Sequence, residues 1–298
     1  FSDGLAKIPL PNNRIGFIDK TGAVALRLPF TAVTPFWQGL AIAHNKNDKI
    51  GLIDKTGKFI IQPQFDYSDG EMAPYFKPTF PNGLELMNIG GGLGDKQTQW
   101  IGGIIGGKWQ YLNKQGQVVI EQDCLVARPF SEGLAAINEA DTSDGERIID
   151  HWGFINTTGK RVIPTKFDYV ESFSEGRAIA GVKSLNKNSD PPFEYFAYGY
   201  INRRGTFVIP AQFQQATPFF EGLAAVAVDG KYGYINKTGK FVIPPQFETA
   251  FPFVEHRARV STAAGVGYIN KKGGYIVKPQ FGSDSQDFSE GLAVVQIQ

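Results

Sequence analysis

Cysteine is almost missing from this chain. Cys124 is the only one in 298 residues, so neither an internal disulfide framework nor a multi-cysteine metal site can form. Net charge is also lacking. Thirty Lys and Arg face 29 Asp and Glu, a balance of +1 that argues against bulk capture of nucleic acid or of an anionic membrane. No apolar run approaches the ~20 residues of a membrane-spanning helix, so the chain is not expected to span a membrane. No long segment carries a 3.6-residue hydrophobic period, which excludes major helices. Histidine is scarce, at His44, His151 and His256. No H-E-x-x-H, G-x-S-x-G or P-loop pattern occurs, and neither catalytic residues nor a cofactor are expected.

Glycine and phenylalanine are abundant, with 35 and 24 residues, and they fall in rhythm. One phrase recurs seven times. Its clearest copy joins Phe220-Glu221-Gly222-Leu223-Ala224, Tyr232-Gly233-Tyr234-Ile235-Asn236, Thr238-Gly239-Lys240 and Phe241-Val242-Ile243-Pro244, and closes with Phe247 and Phe253. The hairpin element starts at 16, 51, 110, 153, 199, 233 and 267, and a turn glycine follows each start by six residues. From that glycine to the next Gly-Leu-Ala element the step is 17 or 18 in six cases and 26 in one. The remaining step ranges from 11 to 27. Two segments of constant length and one that accepts insertions describe a rigid scaffold with variable loops on one side.

Each repeat reads as three short strands, here named A, B and C. Leu223 to Val228 is an A strand, Tyr232 to Ile235 a B strand, and Phe241 to Ile243 begins a C strand. The B–C turn is Asn/Asp-x-x-Gly throughout: a short polar side chain bonds its own backbone and glycine takes the positive-φ position. Proline ends the C strand at Pro63, Pro164, Pro210 and Pro244, because it lacks a ladder donor. Two aromatics mark each connector from C to the next A. Cys124 stands where the third repeat expects the first of them, and reads as a buried apolar filler. A repeat this short cannot bury its own faces, so the aromatics are expected to pack between repeats.

The phrase resembles the bacterial WG repeat family, whose Trp-Gly pair stands here as Trp152-Gly153. The likeness covers essentially the whole chain. The third repeat departs most, with Gln110 for the glycine and Glu121 for the proline. The resemblance implies a bacterial β-repeat array with a binding or surface role, in the periplasm or at the cell surface rather than in the cytoplasm, and no shared reaction. The expected fold is all-β. It has seven tandem three- to four-stranded antiparallel repeats at about 1–36, 37–80, 81–130, 131–173, 174–219, 220–253 and 254–288, with a terminal strand at 289–298. A connector that forms a fourth strand favours a propeller-like ring, the preferred reading; one that merely crosses back favours an open superhelix.

Several residue groups are candidates for function. The B–C turns gather Lys114, Arg161, Arg203, Arg204, Lys237, Lys271 and Lys272 on one rim, enough to attract an anionic partner. Strand A begins on the same rim and brings Asp3, Glu132, Glu175, Glu221, Glu255 and Glu290, so mutual pairing is the plainer expectation. Insertions at 88–108, 138–150 and 183–197 all lengthen the A–B loop and should cluster on the opposite rim; another, Tyr67 to Phe80, lies in a connector. The acidic stretch Glu139, Asp141, Asp144, Glu146, Asp150 offers oxygen ligands but matches no EF-hand, and reads as solvated. His44 and His151 read as exposed polar residues near these loops, and His256 as a framework substitution. The leading expectation is a non-catalytic binding or scaffold protein with a protein partner on the insertion rim. The alternatives are a glycan-binding protein that stacks sugars on Trp100, Trp109, Tyr195 or Tyr198, and a propeller-type hydrolase.

Overall fold

The computed structural model describes residues 1–12, 14–30, 32–45, 47, 49–65, 83–89, 92–93, 104–105, 108–141, 149–186, 193–289 and 291–297. Among these, the regular elements are β-strands, and no helix is long and apolar enough to cross a membrane. The chain forms two compact units, Phe1–Ala140 with Ile155–Lys160 and Asp141–Phe154 with Arg161–Gln298. Seven antiparallel meanders follow one another along the sequence, three with three strands and four with four. The fold is therefore all-β and built from tandem antiparallel repeats. In the last four repeats the connector contributes a two-residue first strand, as where Gln215–Ala216 pairs with Ala227 and Val226. The terminal segment pairs with its own connector, through Gly282 N–H to Gln296 O and Gln286 N–H to Val294 O, both 2.8 Å.

The sixth repeat shows why the sequence folds this way. Leu223–Val228 and Lys231–Asn236 are joined by Asp229-Gly230, both at positive φ (49° and 73°), as a two-residue hairpin turn requires. Asn236 Oδ1 then accepts the N–H groups of Thr238 and Lys240 at 3.0 and 3.1 Å, and Gly239 closes the B–C turn at φ 84°. Phe241–Phe247 returns as the C strand and runs through Pro244 instead of ending at it, because the proline falls in the stretch where the pairing register shifts; Pro63, Pro164 and Pro210 likewise lie inside their strands.

The glycine of the hairpin element has a specific cause. Tyr232 pairs with Phe247 and Tyr234 with Ile243, so two residues of the B strand span four of the C strand. The C strand bulges over Gly233, and a Cβ there would lie 2.6 Å from Ile243 O and 2.7 Å from Pro245 N. Gly153, Gly199 and Gly267 meet the same obstruction at 2.5–2.7 Å. In the third repeat the bulge is absent at this point. Gln110 pairs directly with Glu121, and Gln110 Nε2 donates to Glu121 Oε2 at 2.8 Å. The two departures in that repeat are therefore one: without the bulge, neither glycine nor proline is required.

Burial follows the strand alternation. Tyr234 packs edge-on against Phe253 with ring centroids 4.9 Å apart, and its hydroxyl donates to Phe251 O at 2.8 Å. Equivalent pairs are Phe17–Phe36, Tyr111–Phe130, Phe154–Phe173, Tyr200–Phe219 and Tyr268–Phe288, all at 4.7–4.9 Å. The next residue, Ile235, faces the other way and joins Tyr200, Ile209 and Phe213 of the fifth repeat. Tyr234 instead shares a core with Val260 and Ile269 of the seventh. Core residues thus come from consecutive repeats, as the aromatic spacing predicts. The turn glycines sit on the seams: Gly57 faces Leu28, Gly116 Ile61 and Gly159 Ile120 in the first unit, and Gly205 faces Ile163, Gly239 Ile209 and Gly273 Ile243 in the second. Cys124 is buried in the core of the third and fourth repeats; burial, with help from the Asp123 charge, pushes its thiol up to about 12.

Candidate functional site

The rim of B–C turns holds both sets of charges, and they meet. Lys55 Nζ lies 3.9 Å from the Asp3 carboxylate, Lys237 lies 3.0 Å from Glu175, and Lys271 lies 2.8 Å from Glu221. The same acids accept backbone N–H groups of the following repeat, Asp3 from Gly39, Glu175 from Gly222 and Glu221 from His256, and Glu255 likewise accepts from Gly291. Desolvation raises the Glu221 pKa, but hydrogen bonds from Lys271 and His256 and the Lys271 charge outweigh it and hold the carboxyl at about 2. Lys237 and Lys271 are half-buried ladder members, whereas Lys114, Arg161, Arg203, Arg204 and Lys272 are exposed.

On the A–B side, the insertions are not loops along their whole length. In the fifth repeat, Ala178–Asn186 and Phe193–Ile201 pair in unbroken register from Ala178↔Ile201 to Asn186↔Phe193, and form a long hairpin where the sixth repeat has a two-residue turn. Lys183 N–H bonds Asp168 Oδ2 at 2.8 Å and pins the hairpin base. Beyond Tyr198↔Phe213 the C strand leaves for the next repeat. A cleft of about 700 Å³ opens there, between the hairpin (Ser184 and Tyr195–Tyr198), the connector Ala211–Gln215 and the sixth-repeat turn at Val228 and Asp229.

The cleft wall is aromatic and its fittings are neutral or acidic. Phe196 and Tyr198 lie near-parallel, 6.1 Å apart at 24°, with Tyr169 behind them at 5.8–6.2 Å. Tyr195 is 41% exposed. Burial, then the nearby Glu171 charge, raises the Tyr198 pKa, so its phenol stays protonated at neutral pH. Gln214 Oε1 accepts Gly230 N–H at 2.8 Å and ties the connector to the turn, while Gln212, Gln215, Ser184 and Asp229 complete the lining.

The structure sorts the candidates expected from sequence. Tyr195 and Tyr198 line the cleft. Trp109 does not serve as a stacking surface. It is 8% exposed, packs in the core with Tyr111 and Ile120, and donates its Nε1–H to Leu125 O at 3.3 Å. His151 is not a loop residue; it lies in the strand Ile149–Asn156, half-buried, and its Nδ1 is enclosed without a hydrogen-bond partner. Asp141 ends the strand Leu134–Asp141, and Trp100, Asp144 and Glu146 lie outside the described residues, as does the connector insertion. The sequence reading passed over Phe196 and the glutamines. One signal was available: after the first connector aromatic three other repeats have Asp66, Asp168 and Glu248, where this one has Gln214-Gln215.

These features define a class: a tandem-repeat β protein whose scaffold is held by aromatic seams and whose variation is carried by its A–B hairpins. The chain belongs to the WG containing repeat family, whose model matches residues 50–70, 109–141, 152–187, 198–232, 232–262 and 267–298. No curated protein matches it in sequence. Among solved structures it is similar to the computationally designed Ika8 protein, with 11% identity over 99% of this chain and 91% of that one and a TM-score of 0.46. It is also similar to BamB from Moraxella catarrhalis, with 13% identity, 89% and 78% coverage and a TM-score of 0.45. The C-terminal WD40 domain of Sif2 follows at 11% identity, 90% and 77% coverage and a TM-score of 0.39.

Proposed function

We propose that this protein is a non-catalytic binding protein that takes hold of another macromolecule on its A–B rim, at the cleft beside the fifth-repeat hairpin. The observation that carries the reading is the hairpin itself. The same scaffold closes this position with two residues in the sixth repeat and with a paired ribbon in the fifth, and the ribbon walls a cleft. Loops and hairpins raised on a rigid scaffold are where recognition concentrates. The lining chemistry supports binding over turnover: among the described lining residues one carboxylate, Asp229, is present, whereas acid–base hydrolysis of a glycosidic bond calls for a pair.

A variant without residues 183–196, with Val182 joined to Ala197 through Asp-Gly as in the sixth repeat, tests the proposal. The expected result is an unchanged far-ultraviolet β spectrum with loss of protein or polysaccharide captured from a bacterial cell extract by the intact chain. Capture of the same set by the folded variant defeats it.

A further inference from the structure

We infer that the cleft beside the fifth hairpin is a subsite for a neutral polysaccharide. The inference rests on the binding reading above and adds the ligand's chemistry. A pyranose ring has an apolar C–H face and a rim of hydroxyls that each donate and accept. The cleft supplies the complement of both: the Phe196–Tyr198 ring pair, which strand alternation turns toward the sixth repeat, together with the lining residues Gln212, Gln215 and Asp229. Amide side chains donate and accept at once, which suits hydroxyl partners.

Among the described residues the lining contains no Lys or Arg, and Asp229 adds negative charge, so a phosphate, sulfate or uronate ligand meets repulsion there. An extended peptide fits less well. Asn202 N–H points to the C strand, and alternation gives the same direction to Tyr200, Tyr198 and Phe196. Of the hairpin residues lining the cleft beyond the last C-strand pair, Phe196 alone therefore aims its main chain inward, too little for strand addition. At about 700 Å³ the cleft exceeds one sugar ring and holds a stretch of chain.

The test is calorimetric titration of the full chain with cellohexaose, maltohexaose and chitohexaose, and with a galacturonic acid hexamer as the charged control. At least one neutral hexasaccharide is expected to bind and the galacturonate to bind more weakly than it. Phe196→Ala, at a half-buried ring of that pair, is expected to weaken binding about five- to tenfold, from ~1–1.4 kcal/mol of ring contact. Gln212→Ala is expected to weaken it as well. Asp229→Asn keeps a residue that tolerates the positive φ and is expected to narrow the gap between neutral and anionic ligands. Lys114→Ala, outside the cleft, is expected to bind as the parent does. The inference is overturned if no neutral hexasaccharide binds, if the galacturonate binds best, or if Phe196→Ala and Gln212→Ala leave affinity unchanged in folded protein. If saccharides fail while the hairpin-less variant still loses a captured protein, the ligand class is wrong and the binding reading survives.

Discussion

Gly233 and Gly16 occupy the same place in the repeated phrase and carry different burdens. A methyl group on Gly233 collides with the backbone of the bulged C strand, which has nowhere to go. One on Gly16 meets only the end of the Leu10 side chain. Gly233→Ala is expected to cost about 2–3 kcal/mol and Gly16→Ala under about 1 kcal/mol, read from urea unfolding. Tyr234→Phe removes the hydroxyl bond to Phe251 O and is expected to cost about 1 kcal/mol, since the carbonyl it leaves is part-buried. The glycine was plain in the sequence because it recurs. Its cause was not, because a bulge is a relation between two strands. The paired change of Gln110 and Glu121 was the visible trace of that relation, and it only gained a meaning once the two side chains were found bonded.

At the scale of elements, the turn charges were legible as a list and ambiguous as a function. An ion pair depends on whether the acid of one repeat reaches the lysine of the next, which no spacing in a single repeat encodes. Glu221 answers the question. Its carboxyl titrates near pH 2 folded against 4.5 when unperturbed, so its contribution is complete above about pH 4.5 and is lost as pH falls toward 2. Glu221→Gln is therefore expected to lower the melting temperature at pH 7, and the difference from the parent is expected to shrink as pH drops from 4.5 to 2. A difference that is constant across that range would contradict the pairing. The A–B insertions were likewise visible as extra length. That the fifth becomes a ribbon follows from Phe193 to Tyr200 finding cross-strand partners in Ala178–Asn186, and the cleft follows from the C strand leaving at Phe213.

For the molecule as a whole, the two residues Tyr234 and Ile235 divide their allegiance. Ile235 belongs to the core it shares with the fifth repeat and Tyr234 to the core shared with the seventh. Ile235→Ala is expected to speed amide exchange across the fifth and sixth repeats, and Tyr234→Ala across the sixth and seventh, as nearest-neighbour coupling predicts. Uniform loss of protection throughout the chain with either change would rule out that coupling. The alternating pattern made this partition readable in advance, since neighbours on a strand point to opposite faces.

The seam in which a turn glycine rests on the preceding repeat's C-strand Leu or Ile is the same joint three times in each compact unit. A gene that stutters over such a module, copying or dropping one whole phrase, makes a protein whose new neighbours already know how to meet. Length in this lineage is then cheap to revise, and the hairpins can diversify one at a time while the joinery stays as it was.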